Sequence, residues 1–195
     1  MWIELLIILL AASTRNDPEH QEIARKIKNG DQTAFKHFFN QYYQSLFRFL
    51  LSHNVAKEVA EDLIQNAFIY IWDHRSNIDP DKSLRAYLFQ IGYTRLLNHF
   101  RDNKKFNNSE AVPEQSFELT PEDEVRGSQL KAAVKKAIDQ MPKKRRAVFQ
   151  LCFMEELTYR EAAETMGITR KTVENHMGLA FKDIRASLSH FHSDK

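Results

Sequence analysis

The chain has 195 residues, 43% of them hydrophobic, with only 5 Gly and 5 Pro, a composition typical of a mostly helical protein of one or two domains. Its formal net charge is only +2, so the positions of the charges carry more information than their sum. The sequence lacks a His-Glu-x-x-His zinc pair, a glycine-rich phosphate loop and a nucleophile elbow, and its one cysteine, Cys152, excludes an internal disulfide. We therefore expect no catalytic residue, no cofactor and no metal site.

The first residues, MWIELLIILLAAS, form an apolar run that needs its own explanation. No basic residue precedes the run, Glu4 interrupts its start, and its roughly 10 apolar residues fall short of the ~20 that span a bilayer. A cleavable signal and a short membrane anchor are both open, but a wrongly assigned start codon fits better with the pattern after Asn16. We expect residues 1–18 to be an N-terminal extension and Met1–Ser13 to be dispensable.

Helical periodicity begins after this extension and continues almost without strand alternation. Residues 19–28 predict a short amphipathic helix, which Asn29-Gly30 should end. Residues 34–52 predict a second helix, dense in aromatic side chains. Its apolar positions at helical spacing indicate a packing face before a base-stacking platform: they are Phe35, Phe38, Phe39, Tyr42, Tyr43, Leu46, Phe47 and Leu50.

A third helix, residues 56–73, has an apolar stripe and an opposite polar face. The stripe predicted to be buried consists of Ala60, Leu63, Ile64, Ala67 and Ile71. Ile69 lies on the other side, next to Trp72 and amid carboxylate and amide groups. An apolar residue within a polar rim is typical of a protein-binding face. We predict that this face binds a protein through Asp62, Gln65, Asn66, Ile69, Trp72 and Asp73.

A loop and a basic, aromatic helix follow. Residues 74–83 (HRSNIDPDKS) have the composition of a loop, and helical spacing resumes from residue 84 to about 101. The apolar stripe of this helix changes side at Gly92, so the helix either bends there or packs its halves against different neighbours. Its basic residues are Arg85, Arg95, His99, Arg101, Lys104 and Lys105, and its interleaved aromatic residues are Tyr87, Phe89 and Tyr93. This mixture suits single-stranded nucleic acid, and a basic surface over an aromatic core explains it equally well.

Residues 107–126 divide the chain into two parts. From Phe106 to Thr120 the chain is rich in Asn, Ser, Glu and Pro and has no helical period, which predicts a flexible linker. Thr120-Pro121-Glu122-Asp123 should start a new helix that ends near Met141-Pro142. Another helix is predicted from Pro142 to about Met154. The part that follows the linker is basic, with twelve Lys/Arg against seven Asp/Glu between residues 131 and 185.

Residues 157–177 predict two short helices joined by a tight turn. Thr158 and Glu161 have the spacing of a capping box, so the first helix should begin at about Tyr159. Gly167 permits the positive φ of a helix end, and Thr169 is placed to cap the second helix. The second helix carries an apolar stripe of Val173, Met177, Ala180, Phe181, Ile184 and Leu188. Its polar residues near the start suit a helix in a DNA major groove: they are Arg170, Lys171, Thr172, Glu174 and Asn175.

The whole layout resembles the sigma factors of bacterial RNA polymerase, specifically the short extracytoplasmic-function (ECF) group that retains only regions two and four. Residues 60–72 (AEDLIQNAFIYIW) are similar to the region-two helix that docks on the polymerase clamp. Residues 83–101 are similar to the segment that melts and reads the minus-ten element, and residues 141–177 to region four, which reads the minus-thirty-five element. The chain departs from the family's usual residues at Thr94 and Asn98.

The resemblance implies an all-α fold of two small helical domains: region two over residues 19–106, a linker over 107–126 and region four over 127–190. It implies that the Ile69 face binds core polymerase and that the loop of residues 74–83 captures an unpaired minus-ten base. The implied minus-ten contacts are Arg75, Asn77, Arg85, Tyr87, Arg95, Asn98 and Arg101, and the implied minus-thirty-five contacts are Arg170, Lys171, Thr172, Glu174 and Asn175.

The implied partners are core RNA polymerase, promoter DNA and an anti-sigma factor, which in many relatives is bound to the membrane; no stable homo-oligomer and a cytoplasmic location are expected. Two alternatives remain open. A regulator of the LuxR type has a similar helix-turn-helix but binds paired half-sites as a dimer, and the region-two pattern argues against it. A membrane-tethered helical adaptor would use the first dozen residues as its anchor.

Overall fold

The computed structural model describes residues 18–106 and 125–188. The N-terminal extension, nearly all of the predicted linker and the predicted helix start at Thr120 lie outside the described residues. Within them the chain forms eight α-helices and no strand, which confirms the all-α prediction. The helices are α1 (Pro18–Lys28), α2 (Gln32–Leu51), α3 (Lys57–Asp73), α4 (Leu84–Phe106), α5 (Val125–Asp139), α6 (Lys143–Phe149), α7 (Tyr159–Met166) and α8 (Arg170–Leu188). None of the described helices is long and apolar enough to cross a membrane.

The chain divides into two compact units, the first of which is built from α1 to α4. Helices α2, α3 and α4 pack against one another, and α1 packs against α2. Gly30 has a φ of +87°, so it supplies the left-handed backbone that lets the chain turn between α1 and α2. Asp31 then caps α2, since its Oδ1 accepts from the backbone N–H of Thr33 at 2.8 Å and of Ala34 at 3.0 Å.

Helix α4 packs against both α2 and α3, which explains why its apolar stripe changes side. At Gly92 a Cβ atom would lie 2.9 Å from Cδ1 of the buried Leu46, so any larger residue there would force the Leu46 side chain to shift. The aromatic residues of α4 that sequence offered for base stacking are partly core. Phe89 and Tyr93 are buried against Phe49, with ring centroids 5.5 and 6.2 Å apart. For these two residues the core interpretation is the right one.

The second unit contains α5, α6, α8 and the N-terminal part of α7. Helix α8 packs against α5 and α6, and Val173, Met177 and Ala180 of its predicted stripe are buried. Helix α6 continues into a π-helical turn, Gln150–Met154, so the predicted helix to Met154 is present but widened at its end. Glu155 and Glu156 lie beyond it in the connection to α7.

Candidate docking groove and nucleic-acid interface

An open groove of about 590 Å³ lies beside Ile69 in the first unit. Ile69 projects from α3 and is 48% exposed, as its place on the polar face predicted. The groove is lined by Phe35, Phe39, Tyr43, Glu61, Gln65, Phe68, Ile69, Trp72 and Asp73. An apolar floor with carboxylate and amide groups at its edge is the surface chemistry of a protein-docking site.

The floor of the groove comes from α2, which sequence had assigned wholly to the core. Phe35 lies 4.9 Å from the ring of Trp72, and Phe39 lies 4.7 Å from that of Phe68, measured between ring centroids. Phe35, Phe39 and Tyr43 are only half-buried, so the core prediction is wrong for this row.

The sequence holds a signal that part of the apolar surface of α2 lies outside the core, although it does not show which part. Two parallel rows at a spacing of four residues run along α2: Ala34, Phe38, Tyr42 and Leu46 are buried, whereas Phe35, Phe39, Tyr43 and Phe47 are half-buried. The apolar surface of α2 is therefore wider than one neighbouring helix can cover.

The predicted binding face of α3 is only partly continuous with the groove. Gln65, Ile69, Trp72 and Asp73 line it, and Glu61, which sequence did not single out, joins them. Asp62 and Asn66 are exposed on the same helix but do not line the groove; the Asn66 side-chain amide donates to the backbone carbonyl of Asp62 at 2.8 Å. Leu63 of the predicted stripe is half-buried, and Phe68, which the stripe omitted, is buried.

The loop after α3 begins with a 3-10 turn, Arg75–Asn77. The Arg75 guanidinium lies 4.7 Å from the centroid of the Trp72 ring, and its Nη1 donates to the Trp72 carbonyl at 2.9 Å. Lys28 Nζ of α1 donates to the carbonyl of Ile78 at 2.8 Å, and the Ile78 side chain is buried. The loop is therefore held at its first residues by α1 and α3, whereas Asn77 is exposed.

A second cluster joins the end of α3 to α4 through planar groups. The rings of Tyr70 and His74 are stacked with centroids 4.1 Å apart, and the Arg95 guanidinium lies 5.5 Å from the centroid of Tyr70. The pKa of the Tyr87 hydroxyl is raised by burial and by its interaction with Tyr70. Of the predicted minus-ten residues, Tyr87 and Arg95 thus lie together, and Tyr70 and His74 are members that sequence reasoning missed.

The remaining predicted residues of this surface lie along α4 and are not gathered into one cluster. Asn98 and Arg101 are exposed, and Arg85 is half-buried. Arg101 Nε contacts Oδ1 of the neighbouring Asp102 at 3.4 Å. This contact is between two exposed side chains, so it is weak and leaves Arg101 available to a phosphate.

The helix-turn-helix forms as its capping residues predicted. Glu161 accepts from the backbone N–H of Thr158 at 2.8 Å, and the Thr158 hydroxyl accepts from the backbone N–H of Glu161 at 3.2 Å. Gly167 has a φ of +63° at the end of α7. The Thr169 hydroxyl accepts from the backbone N–H of Thr172 at 3.1 Å and so caps α8. These bonds fix where α8 starts and hence where its polar residues project.

Three of the five polar residues predicted at the start of α8 are connected to one another. Glu174 accepts from Arg170 Nε at 3.1 Å and contacts Lys171 Nζ at 3.5 Å. The Thr172 hydroxyl is bonded to that of Thr169 at 2.8 Å. Asn175 is exposed. Two of the predicted contacts are thus exposed cations that share one carboxylate.

A basic group on α6 approaches α8 from within the same unit. Arg145 is ion-paired with Asp183. Burial, together with the positive charges of Arg145 and Lys144, lowers the pKa of His176, which sequence reasoning did not single out. Nδ1 of His176 is buried and has no hydrogen-bond partner among the described residues.

Cys152 is buried, and burial raises the pKa of its thiol to about 12, so the thiol is an unreactive core group. In residues 18–106 and 125–188 no three His, Cys, Asp or Glu side chains are grouped to hold a metal ion.

Two family models match the chain. Residues 38–106 match Sigma-70 region 2, and residues 131–184 match Sigma-70, region 4. Among curated proteins, the chain is 28% identical to the RNA polymerase sigma factor NccH of Alcaligenes xylosoxydans xylosoxydans, over 88% of this chain and 96% of the relative. It is 25% identical to the ECF RNA polymerase sigma factor SigM of Bacillus subtilis, over 76% of this chain and 91% of the relative.

Solved structures of similar fold point the same way. CnrH, solved in complex with the cytosolic domain of CnrY, is 25% identical with a TM-score of 0.59, over 88% of this chain and 97% of that one. The sigma factor RpoE of Bartonella quintana, solved in complex with the anti-sigma factor NepR, is 21% identical with a TM-score of 0.64, over 83% of this chain and 98% of that one. The latter supports the fold alone.

Proposed function

The chain belongs to the sigma-70 family of RNA polymerase sigma factors, in its extracytoplasmic-function group, and directs transcription initiation; from this premise we propose how its parts divide that work. Residues 19–106 act as region two, which docks on core polymerase and engages the minus-ten element. Residues 107–126 link this part to region four, residues 127–190, which engages the minus-thirty-five element. Because each part alone would bind weakly, the tether raises the effective concentration of the second contact once the first has formed.

Core polymerase docks on the groove of α2 and α3. The observation that carries this proposal is the exposure of Ile69 beside Phe35, Phe39 and Trp72. Covering an apolar surface of this size with a partner is favourable, because it removes that surface from water. Glu61 and Asp73 at the edge favour a partner segment with basic residues. Asp62 and Asn66 extend the contact along the exposed side of α3.

The minus-ten element binds along the loop of residues 74–83 and the polar side of α4. Opening the duplex requires groups that hold unpaired bases and groups that hold the phosphates beside them. Tyr87 and Arg95 lie in the cluster of planar groups around Tyr70 and His74, and Asn77 is exposed on the loop. Arg85, Asn98 and Arg101 follow along α4 and contact the strand.

The minus-thirty-five element binds at the start of α8. Arg170 and Lys171 are exposed and hold phosphates, while Glu174 and Asn175 read base edges in the major groove. Thr172 contributes at the helix start, where its backbone N–H donates to the Thr169 hydroxyl that caps α8. Arg170 and Lys171 are exposed cations, so their pairs with the half-buried Glu174 are weak, and a phosphate and a base edge replace them at little cost.

An anti-sigma factor is a further partner. CnrH and the Bartonella quintana factor were each solved with such a regulator or with a domain of one. The same groove that docks polymerase offers it an apolar binding surface. Since the chain acts on polymerase and promoter DNA, it works in the cytoplasm, as a monomer within the holoenzyme.

Reconstituted transcription tests the whole assignment. Core polymerase free of sigma factor is combined with the chain on a promoter library, and selected promoters should share two elements at a fixed spacing. Transcripts that do not depend on the chain, or a selected sequence that is a palindrome bound without polymerase, would refute the proposal and favour a dimeric regulator.

The division of labour within α8 is tested on the upstream element that this library selects. Lys171→Ala should weaken binding to all sequences alike and reduce the salt dependence by roughly one phosphate contact. Asn175→Ala should relax the base preference at one position and cost ~1–3 kcal/mol against the preferred element. If the Asn175 variant keeps every base preference, α8 does not read DNA through this residue.

A further inference from the structure

The side chain of Arg75 in the first unit turns back onto the protein instead of toward solvent. Resemblance to the family placed it among the residues that contact the minus-ten element. Its guanidinium lies 4.7 Å from the Trp72 ring centroid, and Nη1 donates to the Trp72 carbonyl at 2.9 Å. Both contacts use the planar, multi-donor guanidinium. The side chain is half-buried there.

Trp72 and Arg75 lie where the docking groove meets the loop of residues 74–83, which is called the promoter-reading loop below. Trp72 lines the groove and packs against Phe35, with ring centroids 4.9 Å apart. Arg75 is the first residue of the 3-10 turn, and its carbonyl accepts from the backbone N–H of Ile78 at 3.1 Å. One side chain therefore connects the wall of the groove to the backbone of the loop.

The end of α1 holds the same turn from a second direction. Lys28 Nζ donates to the Ile78 carbonyl at 2.8 Å, and Ile78 is buried. The turn at Gly30 lies against Arg75, since a Cβ atom there would be 3.7 Å from Arg75 Nε. The base of the loop is thus fixed by two cationic side chains, neither of which needs DNA for its contacts.

We propose that Arg75 is a positioning residue: through Trp72 it sets the promoter-reading loop in register with the docking groove, and it does not itself bind DNA. This inference rests on the proposed roles of the groove and the loop. It explains why a loop between two helices can discriminate bases, because side chains such as Asn77 read a base only if their backbone is held in one place. Occupation of the groove beside Trp72 then stabilises the loop that reads the promoter.

The test uses the holoenzyme, formed from the full chain and core polymerase, on a minus-ten library with the upstream element fixed. Arg75→Ala should relax base preference at the position that the loop reads, by about tenfold, while the salt dependence of promoter binding stays unchanged. Arg75→Lys should not restore the preference, because an ammonium cannot reproduce the planar stacking. Arg101→Ala is the matched control: an exposed arginine that holds a phosphate should lower the salt dependence without relaxing the preference.

Lys28→Met supplies a second variant that does not disturb the groove. It should relax the same position to a smaller extent, and in the isolated chain both it and Arg75→Ala should speed hydrogen exchange at the backbone N–H groups of Asn77 and Ile78. A reduced salt dependence in Arg75→Ala that Arg75→Lys restores would overturn the proposal and make Arg75 a phosphate contact. Unchanged base preference in both variants would overturn it as well. Failure of the parental chain to direct any transcription would instead refute the proposed function.

Discussion

Replacement of Ile69 by alanine measures what the docking groove contributes to polymerase binding. Full burial of an Ile side chain is worth ~1.5–3 kcal/mol, and Ile69 is 48% exposed in the free chain, so docking can bury about half of that value. We expect Ile69→Ala to weaken core binding by ~0.8–1.5 kcal/mol, or roughly four- to thirteenfold in Kd.

Leu97 offers a matched control. It is also a large apolar residue and is also 48% exposed, but it lies on α4 and does not line the groove. Leu97→Ala should change the affinity for core polymerase less than about twofold, the range expected of a residue outside a binding hot spot. Affinity is measured without DNA, by anisotropy of a labelled chain titrated with core polymerase.

Thermal unfolding followed by circular dichroism separates docking from folding. Both residues are exposed in the free chain, so both variants should retain the parental helical signal and unfold at nearly the parental temperature. Equal losses of core affinity in the two variants, or none in either, would refute the assignment of this groove to polymerase. A large drop in melting temperature for Ile69→Ala would mean that the residue is structural.

Three further predictions concern the packing and titration of the units. Gly92→Ala should destabilise the first unit by up to ~2 kcal/mol, because overpacking against Leu46 costs ~1–3 kcal/mol and the gain in helix propensity offsets only ~1 kcal/mol of it. Gly178→Ala, whose added Cβ would meet none of the described atoms within 4 Å, should show only the gain; urea unfolding measures both. Cys152, whose pKa is raised to about 12, should react with a thiol reagent only after urea unfolds the second unit. The lowered pKa of His176 means that the folded state binds fewer protons, so stability should fall as pH drops below the ordinary value near 6.5, and His176→Gln should reduce that dependence.

Features encoded by a few neighbouring residues could be predicted from the sequence. The capping box of Thr158 and Glu161, the positive φ of Gly167 and the cap at Thr169 all form as expected, because each depends on backbone groups three or four residues away. The exposure of Ile69 was also predicted, since it needs only the phase of one helix.

Features that depend on how helices pack could not be predicted in the same way. The sequence shows that α2 is rich in aromatic residues. Which row of these residues lies in the core depends on how much of the surface of α2 is covered by α3. Phe38 is buried, whereas Phe39 lines the groove. Likewise, Phe89 and Tyr93 alternate with basic residues, yet Phe49 of α2 takes both into the core.

The two arginines at helix boundaries show why residue type alone does not assign a DNA contact. Arg170 is exposed and pairs with Glu174 across one helical turn, an interaction worth ~0–1 kcal/mol that a phosphate can replace. Arg75 is half-buried, stacks on Trp72 and donates to its carbonyl, so moving it to a phosphate would lose both contacts and release the base of the loop. In the roles proposed above, a guanidinium therefore serves DNA binding at Arg170 and the geometry of the loop at Arg75. The difference is that Arg170 would lose one weak ion pair on binding a phosphate, whereas Arg75 would lose two contacts within the protein.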